Sequence, residues 1–359
     1  MVNTMSNFSG WAAIRKKLER WWNNDGLAVY LWSWENDTQP PDLPAPDLES
    51  YWLDPTCRAN RSEHVLREQI YYAEGFPVFD TNIGPGSLGL FLGAGGHLAE
   101  TTVWYTPSIS DPDTHPPLRF NPEGNIWWHH HLNLIDEGLK RQGGNYLVGM
   151  PDLIENLDTL AALRGDQILL IDLIERPAWV RERLSEINQA FFTVFDLLYT
   201  KLKDEWNGNS FCAFKVWGPG KTAKIQCDFS AMISARMFRS LALPFFIEQC
   251  QFLDYSLYHL DGTTALQHVD PLLEIPRLNA IEWTPQAGKP GGGSPEWYDL
   301  YRRIKAGGKG VQVLVESVAE VIPLLDAIGP KGTFVLMTRS IPRKDAEALV
   351  KALEPYYRN

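Results

Sequence analysis

His259 and Asp261 close a run that alternates apolar and polar side chains, Asp254-Tyr-Ser-Leu-Tyr-His-Leu-Asp-Gly262. Side chains two apart on a strand share a face, so an imidazole and a carboxylate are delivered together. The imidazole can act as a metal ligand, as an acid or base near neutral pH, or as a core residue. The carboxylate can orient that ring, ligate a metal, or cap the turn at Gly262. A second strand, Leu278 to Trp283, ends in Glu282 and Trp283, and its register decides which of the two faces a cleft.

Further acids fall near the ends of other predicted strands: Asp80, Asp152, Asp228 and Glu316. His259, Asp261, Glu282 and Asp80 are the catalytic candidates. Trp32, Trp34, Trp217 and Trp283 are candidate walls for a bound ring. Lys215 shares a strand face with Trp217, and Arg339 is the cation at a strand end, with a salt bridge to one of the acids as its plain role. Carboxylates around a tryptophan-walled mouth suit acid–base or nucleophilic chemistry on a neutral hydroxylated ring, so a carbohydrate hydrolase or lyase is one reading. His129, His130 and His131 look like a metal site. Consecutive helical residues point about 100° apart, however, and cannot all face one ion.

Presenting these groups together needs a frame of parallel strands whose ends converge. Ser9 to Asn24 has helical spacing, with Trp11, Ile14 and Leu18 on one face. Predicted strands follow at Leu27–Trp32, Phe76–Asn82, Asn145–Met150 and Ser210–Trp217, then the two strands above, then Gly310–Glu316 and Gly332–Thr338. Predicted helices lie between them, including Ser62–Glu74 capped by Ser62, Leu153–Gly165, Ala178–Lys203, Ser234–Leu253 and Arg343–Tyr357. Eight strands alternating with helices predict an α/β chain closed as a (β/α)8 TIM barrel, a single domain over residues 1–359. An irregular insertion occupies about 88–142. The triple glycine Gly291-Gly-Gly293 lacks the strand–loop–helix context of a phosphate cradle.

Composition narrows the partners. A net charge of −11 argues against nucleic acid and against an anionic membrane surface. A small-molecule substrate is expected instead. The N-terminal stretch has no apolar core of a signal peptide, and no run is long enough to span a bilayer. Cys57, Cys212, Cys227 and Cys250 form no CxxC pair and read as reduced thiols of a cytoplasmic protein.

Asp228, the run Ser234-Ala-Arg-Met-Phe238, Pro244, His259-Leu-Asp-Gly262 and Ile281-Glu-Trp283 occur in an order that resembles the uroporphyrinogen decarboxylase superfamily, which includes corrinoid methyltransferases. The resemblance covers most of the chain. It implies the (β/α)8 barrel with its cleft at the C-terminal strand ends, and a homodimer. Asp80 falls where the decarboxylases carry an aspartate, but Leu31-Trp-Ser-Trp-Glu35 lacks their substrate arginines, and a rim of acids would repel a polyanion. In the methyltransferase branch, zinc is held by a His-x-Cys and a later Cys. Here His259 is kept, Asp261 replaces the Cys, and Thr338-Arg339 stands where the later Cys would be. The resemblance thus implies demethylation of a small O- or N-methyl compound, with a thiol or a corrinoid on a partner protein as acceptor. Any zinc would be held by His259, Asp261 and a third group such as Glu316 or Glu282.

Overall fold

The computed structural model describes residues 2–358. Helix α1 (Trp11–Trp22) buries Trp11, Ile14, Leu18, Trp21 and Trp22, the stripe its spacing predicts. The chain then enters β1 (Leu27–Trp34). Two helices follow, α2 (Leu48–Trp52) and α3 (Pro55–Arg67). The start of α3 lies earlier than Ser62: Asp54 caps it by accepting from the Cys57 amide at 2.7 Å, and Pro55 sits in the first turn. Its end is earlier too. Gln-Ile-Tyr-Tyr-Ala, rich in β-formers, becomes β2 (Gln69–Ala73), antiparallel to β1.

The remaining strands are β3 (Val78–Phe79), β4 (Gly95–Leu98), β5 (Val103–Thr106), β6 (Leu147–Val148), β7 (Gly208–Phe211), β8 (Val216–Pro219), β9 (Thr222–Gln226), β10 (Tyr255–Asp261), β11 (Ala280–Thr284), β12 (Gly310–Val315) and β13 (Thr333–Met337). One seven-stranded sheet runs β2-β1-β13-β12-β11-β10-β9, parallel except for β2. The chain is therefore a mixed α/β protein whose largely parallel sheet is covered by helices.

The predicted eight-strand ring is seen in part. Strand pairing among the described residues does not close into a ring: β3 pairs only with β6, and β7 with β8. Single links span the gap. Met150 bridges to Phe211, and the Asn209 amide side chain bonds both the N and the O of Thr222 at 2.9 Å. The predicted fourth strand, Ser210–Trp217, is broken in the middle. Phe214 and Lys215 both take positive φ, 58° and 50°, which turns the chain back into the antiparallel strand β8. The neighbour of β10 on that side is β9, a strand outside the eight predicted ones.

The insertion after β3 contains the hairpin β4–β5 and the helix Ile126–Arg141. Beyond it, Asn156–Arg164 and the 26-residue Pro177–Leu202 are helices close to expectation. The predicted helix over 234–253 is interrupted by a wider turn at Phe238–Ala242 before Leu243–Phe252. Among the described residues no helix is long and apolar enough to cross a membrane.

Candidate active site

Register settles which side chains meet. Gln226, His259, Glu282 and Gln312 are consecutive partners across β9, β10, β11 and β12. Partners in a parallel sheet project from one face, so four polar side chains form a single row. Two residues nearer the C-terminal strand ends, Asp261 pairs with Thr284, and Leu314 pairs through Leu336 to Tyr30. The same face therefore carries Asp261 at one end and an apolar floor at the other.

Glu282 is fully buried and bonds His259 Nδ1 through Oε2, while its Oε1 accepts from Thr284 Oγ1 at 2.9 Å. Burial alone would lower the His259 pKa, but the charge and hydrogen bond of Glu282 outweigh it and raise it. Burial raises the pKa of Asp261, with His259 pulling the other way. Asp228 follows β9, and its carboxylate accepts from Gln226 Nε2 at 2.8 Å. Asp158, on the helix Asn156–Arg164, accepts from the amides of Asp228 and Phe229, both at 2.8 Å. Burial, then the charge of Asp228, pushes the Asp158 pKa up.

Asp228, His259 and Asp261 each offer one ligand atom, and these atoms lie within 4.8 Å of one another. With Nδ1 engaged by Glu282, the free donor of His259 is Nε2. A carboxylate behind a ligating imidazole is the usual way such a ring is oriented. One imidazole and two carboxylates fit zinc with an open position, or a harder divalent ion. The third member is thus Asp228 and not Glu316. Glu316 lies two residues beyond Leu314, half exposed, and pairs with Arg339 at 2.8 Å. That pair is the plain role expected of Arg339, which does not line the larger cavity. Among the described residues no cysteine joins the cluster; burial raises the pKa of the neighbouring Cys227.

Beside the cluster lies a cavity of about 800 Å³ over β1, β12 and β13. Trp32, Asp80 and Lys215 line it, as does Phe214, whose ring packs 4.9 Å from that of His259. The Phe214 carbonyl is held by Gln312 Nε2 at 2.8 Å. A second cavity, about 580 Å³, takes in Asp228, Gln226 and Asp158.

Several expected wall residues lie elsewhere. Trp283 is fully buried one residue out of phase with Glu282, edge-on to Trp297 at 5.2 Å. Trp217 is fully buried against Trp11 in the strand reversed by the Phe214–Lys215 turn, and its Nε1 donates to Asp204 at 2.8 Å. Lys215 and Trp217 consequently do not share a face. Trp34 is buried edge-on behind Trp32, 5.0 Å away. Asp152 is tied to Lys224 at 2.6 Å. The rim of acids is therefore not continuous. Asp80 is the one carboxylate lining the larger cavity, where it faces Arg58 and Arg61 from α3. Sequence reasoning missed both arginines because α3 precedes the strand they serve. Of the three histidines, His131 is fully buried, with Nε2 2.8 Å from Ser87 Oγ, and burial lowers its pKa to about 4. His129 only bonds the Glu123 carbonyl at 3.1 Å.

No known family profile matches the chain, and no curated protein does. Solved structures do match. One is a methyltransferase from Methanosarcina mazei, with a TM-score of 0.63 at 10% identity over 96% of this chain and 99% of that protein. At that identity, the shared property is the fold.

Proposed function

We propose that the chain is a metal-dependent enzyme of methyl transfer, taking a methyl group from a small O- or N-methyl compound. The observation that carries this is the Asp228–His259–Asp261 donor set, held at the C-terminal strand ends and separated by Phe214 from an open cavity. The fold likeness to a methyltransferase along nearly the whole chain agrees with it. A zinc ion bound there would act as a Lewis acid on a substrate heteroatom or on an acceptor thiol.

The chain's own residues supply the rest. Glu282 fixes the tautomer of His259 and keeps Nε2 free, and Thr284 holds Glu282 in turn. Gln226 orients the Asp228 carboxylate. Phe214 covers one face of the imidazole and shields it from water. The larger cavity takes the methyl donor. The acceptor is a thiol or a corrinoid on a partner protein, reached from the smaller cavity at Asp228. We also propose that β3, β6 and β7 complete a barrel wall through the single links at Met150 and Asn209.

The carbohydrate reading is weaker: of the four tryptophans expected as walls, Trp217 and Trp283 are fully buried, and Glu282 is committed to His259 and Thr284.

The test is elemental analysis of purified protein, followed by methyl transfer from a panel of methoxy and methylamine compounds to free thiols and to cob(I)alamin. About one metal per chain, lost in Asp228→Asn and His259→Gln together with turnover, is expected. Metal-free protein that neither takes up zinc nor transfers methyl groups overturns the reading.

A further inference from the structure

The larger cavity carries a surplus of positive charge inside a chain of net charge −11. Arg58, Arg61 and Lys215 line it against the single carboxylate of Asp80. Elsewhere most arginines sit in salt bridges, but among the described residues neither Arg58 nor Arg61 does, and Lys215 is unpaired too.

Arg58 is buried, and its guanidinium donates only to neutral carbonyls: Trp52 at 3.2 Å, Asp80 at 3.3 Å and Asn82 at 3.0 Å. Arg61, three residues along α3, lies over the Tyr51 ring at 3.8 Å and donates Nε to the Leu43 carbonyl at 3.2 Å, leaving its terminal nitrogens unpaired. Lys215 comes from a different element, the turn held at positive φ. Of the three only Arg58 is buried, while Arg61 and Lys215 are half-buried. A buried cation without a carboxylate partner is costly unless something anionic completes it. A concave, low-dielectric wall also focuses their field on whatever enters. The rest of the lining includes an aromatic group, Tyr30, Trp32, Tyr51 and Trp52, together with neutral polar side chains such as Ser62, Gln69 and Thr102.

We infer that the molecule bound in this cavity is an organic oxyanion: a flat apolar body between the aromatic side chains, carrying one carboxylate or phosphate that Arg61 and Lys215 grip while Arg58 biases the field. Guanidinium and ammonium groups from two different elements suit a single terminal anionic group, and Asp80 disfavours a second one near it. This deepens the proposed function by naming the substrate class, and it rests on the cavity being the substrate's place. Binding is read here without acceptor or turnover, so a failure of methyl transfer does not touch it.

The test is calorimetric titration of the full chain with benzoate, phenyl phosphate, benzamide and benzyl alcohol, with and without EDTA. At least one anion is expected to bind about ten-fold tighter than both neutral probes and to weaken as salt is raised. Comparing benzoate with phenyl phosphate tells which oxyanion is favoured. Arg61→Gln and Lys215→Gln should each weaken the anion about five- to ten-fold and leave benzamide unchanged, with melting temperatures checked in parallel. Equal binding of anion and amide, anion binding untouched in both folded variants, or anion binding abolished by EDTA alone would each overturn the inference.

Discussion

His259 and Glu282 stand opposite each other across the β10–β11 pair, and their side chains meet through Nδ1 and Oε2. The contact links a buried carboxylate to the one imidazole of the metal-fitting cluster, so Glu282 is a positioning residue. Glu282→Gln removes the charge that raises the His259 pKa, which must therefore fall. A carboxylate behind a ligating histidine typically contributes about 10- to 100-fold in metal affinity. The expected result is a lower His259 pKa by NMR titration of metal-free protein, with a weaker Kd for zinc in that range. A merely structural role would lower stability and leave both quantities unchanged.

How much of this was legible depends on which interaction fixes each element. Helix α1 and the strands bearing His259 and Glu282 followed from apolar periodicity, because burial sets both. Glu282 against Trp283 was open, since a shift of one residue exchanges them and only pairing with β10 sets the register. The break at Phe214 and Lys215 was invisible, because neither residue type favours positive φ and tertiary contacts impose it. Glu316 and Asp228 both sit after strand ends, and only three-dimensional placement separates the rim from the cluster. Arg58 and Arg61 reach the cavity from a helix 22 residues or fewer upstream of Asp80, a crossing no local pattern encodes.

His131 should make the fold acid-sensitive. Its folded pKa is lowered to about 4 by burial, from 6.5. Between those values the unfolded chain binds the proton and the folded one does not, so stability falls as pH drops from 6.5 toward 4. The full effect is roughly 3 kcal/mol at about 1.4 kcal/mol per pKa unit. Denaturant unfolding at intervals from pH 7 to pH 4 should show this slope in the native chain and a flatter one in His131→Gln.

Glu155 acts in the opposite sense. Burial raises its folded pKa to about 8, although Lys224 and the Gln226 amide favour the charged form. The folded state then holds a proton that the unfolded state has released, so this contribution weakens stability as pH rises from about 4.5 through 8. Glu155→Gln keeps an acceptor for the Gln226 amide and deletes the charge. It should stabilise the metal-free protein at pH 8 by about 2–4 kcal/mol and change little at pH 4. Equal shifts at both pH values would remove Glu155 as their source.

Trp32 and Trp283 separate cavity wall from core. Trp32 lines the larger cavity, and its Nε1 donates to the Met337 carbonyl at 3.1 Å. Trp283 is wholly buried, and its Nε1 has no partner. Trp283→Phe loses packing volume but also removes an unsatisfied N–H, so the two effects partly offset. It should lower stability by about 1–3 kcal/mol without altering the affinity for an aromatic anion. Trp32→Ala takes away a stacking face, and should weaken that anion about five- to ten-fold, in keeping with a contribution of about 1–1.5 kcal/mol from an aromatic contact. Calorimetry and thermal unfolding on the two variants give four numbers. A loss of affinity in Trp283→Phe that matches Trp32→Ala would mean the binding surface extends to the helix side of β11, against the register of Glu282 and His259.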